Sequence, residues 1–375
     1  MKPVAFIFFL SISFCFFSQE KQSFVLRYLN RVLNDTTEKS KPQFIAYPTA
    51  AYSPETSLEI GMSSLFMYYA NRDTNNRLSE VNGFVFYTLE KQYGGIIEHA
   101  LYSDQNKWFS LGKLKFQSFP LSYYGIGPTT PNKKLARVDA FLFQSKERLL
   151  RKVYKSVYLG LEADLQHLGN VNFVDYDTTV SYVKPNGHEG STNFGLGLGL
   201  LYDNRHNVLN VRHGFFSELA FIHYSPTIGS DHEFTSIFSD VRWFMPVRKR
   251  NVLAAQAIGQ FSYGDPPFNQ LALIGGENIM RGYYLGRFRD RNLMAAQLEY
   301  RMLPVKFTKR WGASVFAGTG LVYNKLSAFE SDHLLLAGGA GIRFLLFRKK
   351  DVWVRLDLAF TSEGNGLYIF IGEAF

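Results

Sequence analysis

From Val352 to Phe360 the chain alternates, with Val352, Val354, Leu356, Leu358 and Phe360 on one parity and Trp353, Arg355, Asp357 and Ala359 on the other. Side chains of a strand point to opposite faces in turn, so one face here meets an apolar medium and the other a polar one. Val157, Leu159, Leu161, Ala163 and Leu165 set against Ser156, Tyr158, Gly160, Glu162 and Asp164 repeat the pattern. A soluble sandwich with an apolar interior and a membrane barrel with lipid outside and a hydrated lumen both fit it. Between turn signals the alternation predicts about sixteen strands. They fall near 44–52, 57–70, 80–91, 94–103, 107–117, 134–146, 150–166, 191–203, 213–225, 233–246, 250–263, 291–302, 311–323, 333–346, 351–361 and 366–375.

With the last strand ending at the periplasmic rim, an even count puts 118–133, 167–190 and 264–290 outside the cell. It makes Lys146–Lys152, Val247–Arg250, Lys306–Arg310 and Phe347–Lys350 short internal turns. Long loops outside and short turns inside are the habit of outer-membrane barrels, and the expected fold is an all-β, antiparallel transmembrane barrel at 44–375.

The amino-terminal residues change the picture in the same direction. Lys2 precedes an apolar run from Val4 to Phe17, the pattern of a secretory signal peptide, expected at 1–18. Residues 19–43 are expected to form a short periplasmic segment. Cys15 is the sole cysteine and falls in the leader, so neither a disulfide framework nor a cysteine metal site is expected in the mature chain. Hydrophobic residues make up 46% and aromatic residues 16% of the sequence. Beyond the leader no run of about eighteen apolar residues suggests a helical span. A net charge of +9 owes much to Arg248-Lys249-Arg250, Lys309-Arg310 and Arg348-Lys349-Lys350. These read as solvated turns, or as contacts for anionic lipid head groups or an acidic periplasmic partner. Nucleic acid is not an expected partner.

Four stretches resemble the outer-membrane assembly and secretion barrels typified by BamA and TamA, the bacterial surface antigen proteins. They are Pro48 with Tyr52-Ser53-Pro54-Glu55-Thr56 and Gly61; Asp203-Asn204-Arg205 with Gly214; Gly275-Gly276 with Arg281-Gly282-Tyr283, followed by Glu299-Tyr300-Arg301 and Pro304; and the end of the chain, with Ile369, Ile371 and Phe375. The resemblance implies that the Arg-Gly-Tyr loop folds from outside into the lumen and that Arg281 meets acids on the inner wall. The last strand would be the signal that the barrel assembly machinery reads. A connection as long as 264–290 is uncommon without a function of its own. Glu299 shares its parity with Gln297 and Arg301 and is the best inward partner, because a guanidinium matches a carboxylate with two prongs. Gly282 would permit a tight turn and Tyr283 would pack on the wall.

The chain departs from the family in three places. Relatives carry Phe-x-Asp-x-Gly where this chain reads Phe316-Ala317-Gly318-Thr319-Gly320. Either Glu299 holds Arg281 alone, or Asp357 substitutes for the second acid, or the loop is held more loosely. Glu373 stands where an apolar residue is usual, and 19–43 has no room for a POTRA module, which puts a general protein-assembly role in doubt.

No catalytic motif, metal site or cofactor site emerges. Gly195, Gly197 and Gly199 read as small inward residues beside the loop, because no helix follows them as a nucleotide loop requires. His206 and His213 read as solvated turn residues. A phospholipase is the enzymatic alternative, without a serine and base to support it. Three functions stay open: a membrane-inserting or translocating barrel with a weak seam and a movable loop, a passive or gated pore, and a surface-antigen barrel working through its loops. Expected partners are outer-membrane lipids, the assembly machinery, and a separate periplasmic or surface protein.

Overall fold

A computed structural model describes residues 40–375, apart from 206–209, 249, 326, 328–329 and 348–350. The expected leader, Cys15, His206 and most of the 19–43 segment lie outside the described residues.

Among the described residues, nineteen strands run in chain order: β1 (Gln43–Ser53), β2 (Ser57–Tyr69), β3 (Leu78–Thr88), β4 (Tyr93–Tyr102), β5 (Trp108–Ser118), β6 (Leu121–Tyr123), β7 (Ala136–Tyr154), β8 (Val157–Asp175), β9 (Ser191–Asp203), β10 (Gly214–Tyr224), β11 (Phe234–Val247), β12 (Asn251–Gly264), β13 (Ala272–Ile274), β14 (Phe288–Asp290), β15 (Asn292–Met302), β16 (Trp311–Tyr323), β17 (Leu335–Phe347), β18 (Val352–Thr361) and β19 (Gly364–Ile371). All but β6, β13 and β14 form a closed antiparallel barrel of 16 strands, in which each pairs with its sequence neighbour and β1 meets β19. The short β6 continues the line of β5 along β7, and β13 pairs with β14 within the connection between β12 and β15. Among the described residues no helix is long and apolar enough to cross a membrane.

Burial decides between the two architectures left open by the alternation. On β18, Leu358 and Phe360 are 41% and 54% exposed while Asp357 and Ala359 are at 0%. The apolar row faces outward and the charged row is buried, the reverse of a soluble sandwich. Leu159, Leu161, Leu198, Phe221, Leu298 and Leu336 present the same apolar exterior around the barrel. The inward acids are paired rather than simply hydrated: Glu162 takes Lys146 and Arg148 at 2.8 Å each, and Asp164 accepts from Gln144, Gln166 and Tyr224.

Two expected boundaries move. Lys146–Lys152 is not a turn, because β7 runs on to Tyr154 and the hairpin closes at 155–156; β8 then reaches Asp175 and shortens the following loop to 176–190. Its charges misled because Lys146 and Arg148 point inward onto Glu162. The last strand stops at Ile371 rather than Phe375. Gly372, at φ +96°, turns the end of the chain off the wall. Gly195 and Gly199 make room for Tyr224 of β10 and Arg148 of β7 rather than for the long loop.

Candidate functional site

The connection between β12 and β15 packs on the inner wall through its own small core. Ala272, Ile274, Met280, Tyr283 and Phe288 bury against Leu293, Ala295, Val322 and Ala337 of β15, β16 and β17. Backbone bonds from Gly276 N to Tyr283 O and from Tyr283 N to Met280 O fold its tip. Gly282 sits at φ +108°, and a Cβ there would lie 2.5 Å from Thr361 Cγ2. Glycine is therefore required both by conformation and by space. Its N–H donates to Tyr368 Oη on β19 at 2.9 Å. Tyr283 is fully buried and donates from its hydroxyl to Leu336 O at 3.2 Å.

Arg281 meets both acids. Its NH2 donates to Glu299 Oε2 and its NH1 to Asp357 Oδ2, each at 2.6 Å. The guanidinium also lies 3.6 Å from the ring centre of Phe316. Asp357 thus occupies the role for which Gly318 has no side chain. A Cβ at 318 would meet Ala296 O and Gln297 Cβ at 3.3 Å and Met280 Sδ at 3.4 Å, so this part of the wall is close-packed beneath the loop tip, and β18 supplies the acid.

The inner wall adds residues that the sequence reading did not assign. Arg343 bridges Glu299 Oε1 at 2.8 Å, Asp357 Oδ1, and Glu373 Oε2 at 2.9 Å. Arg301 reaches Glu299 at 3.3 Å, and Arg355 reaches Asp357 at 3.5 Å. Arg355 also donates to Glu277 O at 3.0 Å. Four buried guanidinium groups therefore surround three carboxylates, and the polar Glu373 has its explanation. The only available signal was inward parity, which marks a residue as facing the lumen without saying what it pairs with.

Phe375 is buried with Val211, Phe244, Val252, Ala254 and Ala374, and its carbonyl accepts from Arg301 at 3.0 Å. It is not on the strand with Ile369 and Ile371. The turn residues lie apart from this cluster: Asp203 accepts from Arg205 at 3.0 Å and pairs with Arg77 at 2.9 Å. Gly214, at φ +124°, would carry a Cβ 2.7 Å from Arg205 Cα.

The β1–β19 seam has the least strand pairing in the barrel among the described residues. A single register pair, Tyr52 with Ile369, joins β1 to β19, whereas β1 runs alongside β2 over its whole length. The loop bonds to both sides of this seam. Gly282 bonds β19 as above, Arg287 grips Glu363 beside β19 at 2.8 and 3.2 Å, and Leu285 N donates to Glu55 Oε1 in the β1–β2 turn at 2.8 Å.

The model of the Omp85 superfamily domain matches residues 136–346, more than half of the chain. The chain belongs to the Omp85 superfamily. Among solved structures, the barrel is similar to BamA from Haemophilus ducreyi lacking POTRA domains 1–3, with a TM-score of 0.58 and 12% identity over 90% of this chain and 71% of that one. It is also similar to CdiB from Acinetobacter baumannii, with a TM-score of 0.57 and 11% identity over 88% of this chain and 59% of that one. CdiB from Escherichia coli matches with a TM-score of 0.55 and 12% identity, over 92% and 69%. At such identities the likeness is one of fold. No curated protein sequence gives a significant match. Among the described residues of this Omp85 barrel, no group of acids and histidines is arranged to hold a metal ion.

Proposed function

We propose that this Omp85 barrel works in the bacterial outer membrane by inserting or translocating a polypeptide or lipid through a parting β1–β19 seam. The observation that carries the reading is the single register pair across that joint. Strand edges in lipid are costly because the unpaired backbone groups find no water there. A seam with so little pairing is the place where the barrel opens at least cost and where an incoming strand finds free partners. The loop tip, anchored by Arg281, holds the joint from inside through Gly282, Leu285 and Arg287. Residues 265–291 face outside the cell at their roots, and partner proteins bind at the exposed rims.

Facing residues of antiparallel strands lie about 4.5–5.5 Å apart at Cα, within disulfide reach. A Tyr52→Cys, Ile369→Cys double variant, made with Cys15 replaced, locks the seam on oxidation. In liposomes the wild-type barrel is expected to accelerate folding of an unfolded reporter barrel. The oxidised variant should lose that acceleration and regain it on reduction. Equal acceleration by the oxidised form would rule out passage through the seam.

A further inference from the structure

A cavity of about 650 Å³ lies between the β12–β15 connection and the opposite wall of the barrel, within the range of about 300–1,000 Å³ typical of small-molecule sites. Its walls are mixed: Glu55, Glu59, Lys115, Lys146, Asp164 and Glu277 line it beside an apolar stretch. Down the inward row of β7 the lining residues are Val138, Ala140 and Leu142, and only then Gln144 and Lys146. Phe84, Phe86 and Phe238 line the same cavity from other strands.

At the end of this cavity formed by the connection stands Arg289, on β14 and only 5% exposed. Among the described residues it makes no ion pair: the Tyr123 ring lies 5.2 Å from the guanidinium carbon, Tyr284 is also near enough to act on its charge, and its Nε has no hydrogen-bond partner. Gln270 Nε2, a second donor of the cavity lining, is also buried without a partner. Burial draws the Arg289 guanidinium down to about 10, whereas Arg281 and Arg287 of the same connection both have carboxylates. A buried cation without a counter-charge is costly, so such groups are ordinarily paired.

We propose that the lumen of this barrel binds a single-chain anionic amphiphile, its head group on Arg289 and its acyl chain along the apolar stretch of the cavity wall formed by Val138, Ala140 and Leu142. A carboxylate or phosphate accepts the two-pronged guanidinium, and the chain displaces water from Val138, Ala140 and Leu142. Ser53 of β1, Phe370 of β19, Glu55 and Leu285 also line the cavity, so its occupant meets both sides of the seam.

The test is native mass spectrometry of the full-length barrel released from non-ionic detergent, titrated with palmitate, 1-palmitoyl lysophosphatidate or uncharged hexadecanol. Wild type should retain one equivalent of at least one charged probe and release hexadecanol, and the tighter charged probe identifies the head group. Arg289→Gln should weaken that binding by about tenfold or more, the scale of a lost charge-assisted hydrogen bond. Ala140→Phe leaves Arg289 in place, fills the path of the chain and should abolish retention, so the proposal stays testable even where Arg289→Gln fails to fold. Arg291→Gln should bind as wild type. Failure of wild type to retain either charged probe, equal retention of hexadecanol, or unchanged binding by Arg289→Gln or Ala140→Phe would overturn the proposal.

Discussion

Arg281 and Glu299 lie in one cluster, yet their removal should have opposite consequences. The buried side chains comprise Arg281, Arg301, Arg343 and Arg355 against Glu299, Asp357 and Glu373. Deleting Arg281 leaves the remaining side-chain charges matched, whereas neutralising Glu299 strands several guanidinium groups in a dry interior. Glu299→Gln is therefore expected to cost about 3–5 kcal/mol of barrel stability, the price of breaking a buried pair. Arg281→Ala should cost less but release the loop tip and raise single-channel conductance. Heat-modifiability on gels reads the first effect and planar bilayers the second; equal destabilisation by both variants, with conductance unchanged, would contradict this division. Much of the cluster could be anticipated. The Arg-Gly-Tyr motif pointed to Arg281 and parity to Glu299, with Asp357 as one of several alternatives. Arg301, Arg343 and Glu373 were beyond reach because pairing across strands depends on barrel register, which local sequence does not encode.

At the scale of elements, the loop's hold on the β1–β2 turn depends on Glu55. Burial pushes the Glu55 carboxyl above the usual carboxylate range, and the charge of Glu277 adds to the shift despite the hydrogen bond from Leu285. A group whose pKa is raised in the folded state contributes stability at pH below its unfolded value and loses it as pH rises through the folded value. The contact between residue 285 and the β1–β2 turn should therefore loosen as pH rises past that raised value. Proteolysis of the 275–287 segment in reconstituted protein, followed from acid to neutral pH, should speed up in wild type but stay flat in Glu55→Gln. Strand positions were legible because lipid outside and polar groups inside impose strict alternation, as on β8 and β18. The β7–β8 hairpin was misplaced because Lys146 and Arg148 look like turn residues unless their inward partner Glu162 is known. The end of β19 was misjudged because a terminal phenylalanine fits an outward strand position as well as it fits the cluster with Phe244 and Val252.

For the whole molecule, one barrel carries two very different joints. β7 and β8 pair along nearly their full lengths, while β1 and β19 share one register pair and depend on a loop arriving from β12 and β15 to bridge them. Opening free energies within one protein range from near zero up to the global value, according to how much pairing and packing each part must break. The central claim is that the seam is the weakest joint and that the Arg281 loop restrains it. Amide hydrogen exchange in lipid nanodiscs, comparing wild type with Arg281→Ala, tests this most directly. The expected result is that β1 and β19 exchange well before β7 and β8 in wild type, and that Arg281→Ala speeds β1 and β19 while leaving β7 and β8 unchanged. Protection of β1 equal to that of β8, or a seam indifferent to the loss of Arg281, would contradict the account.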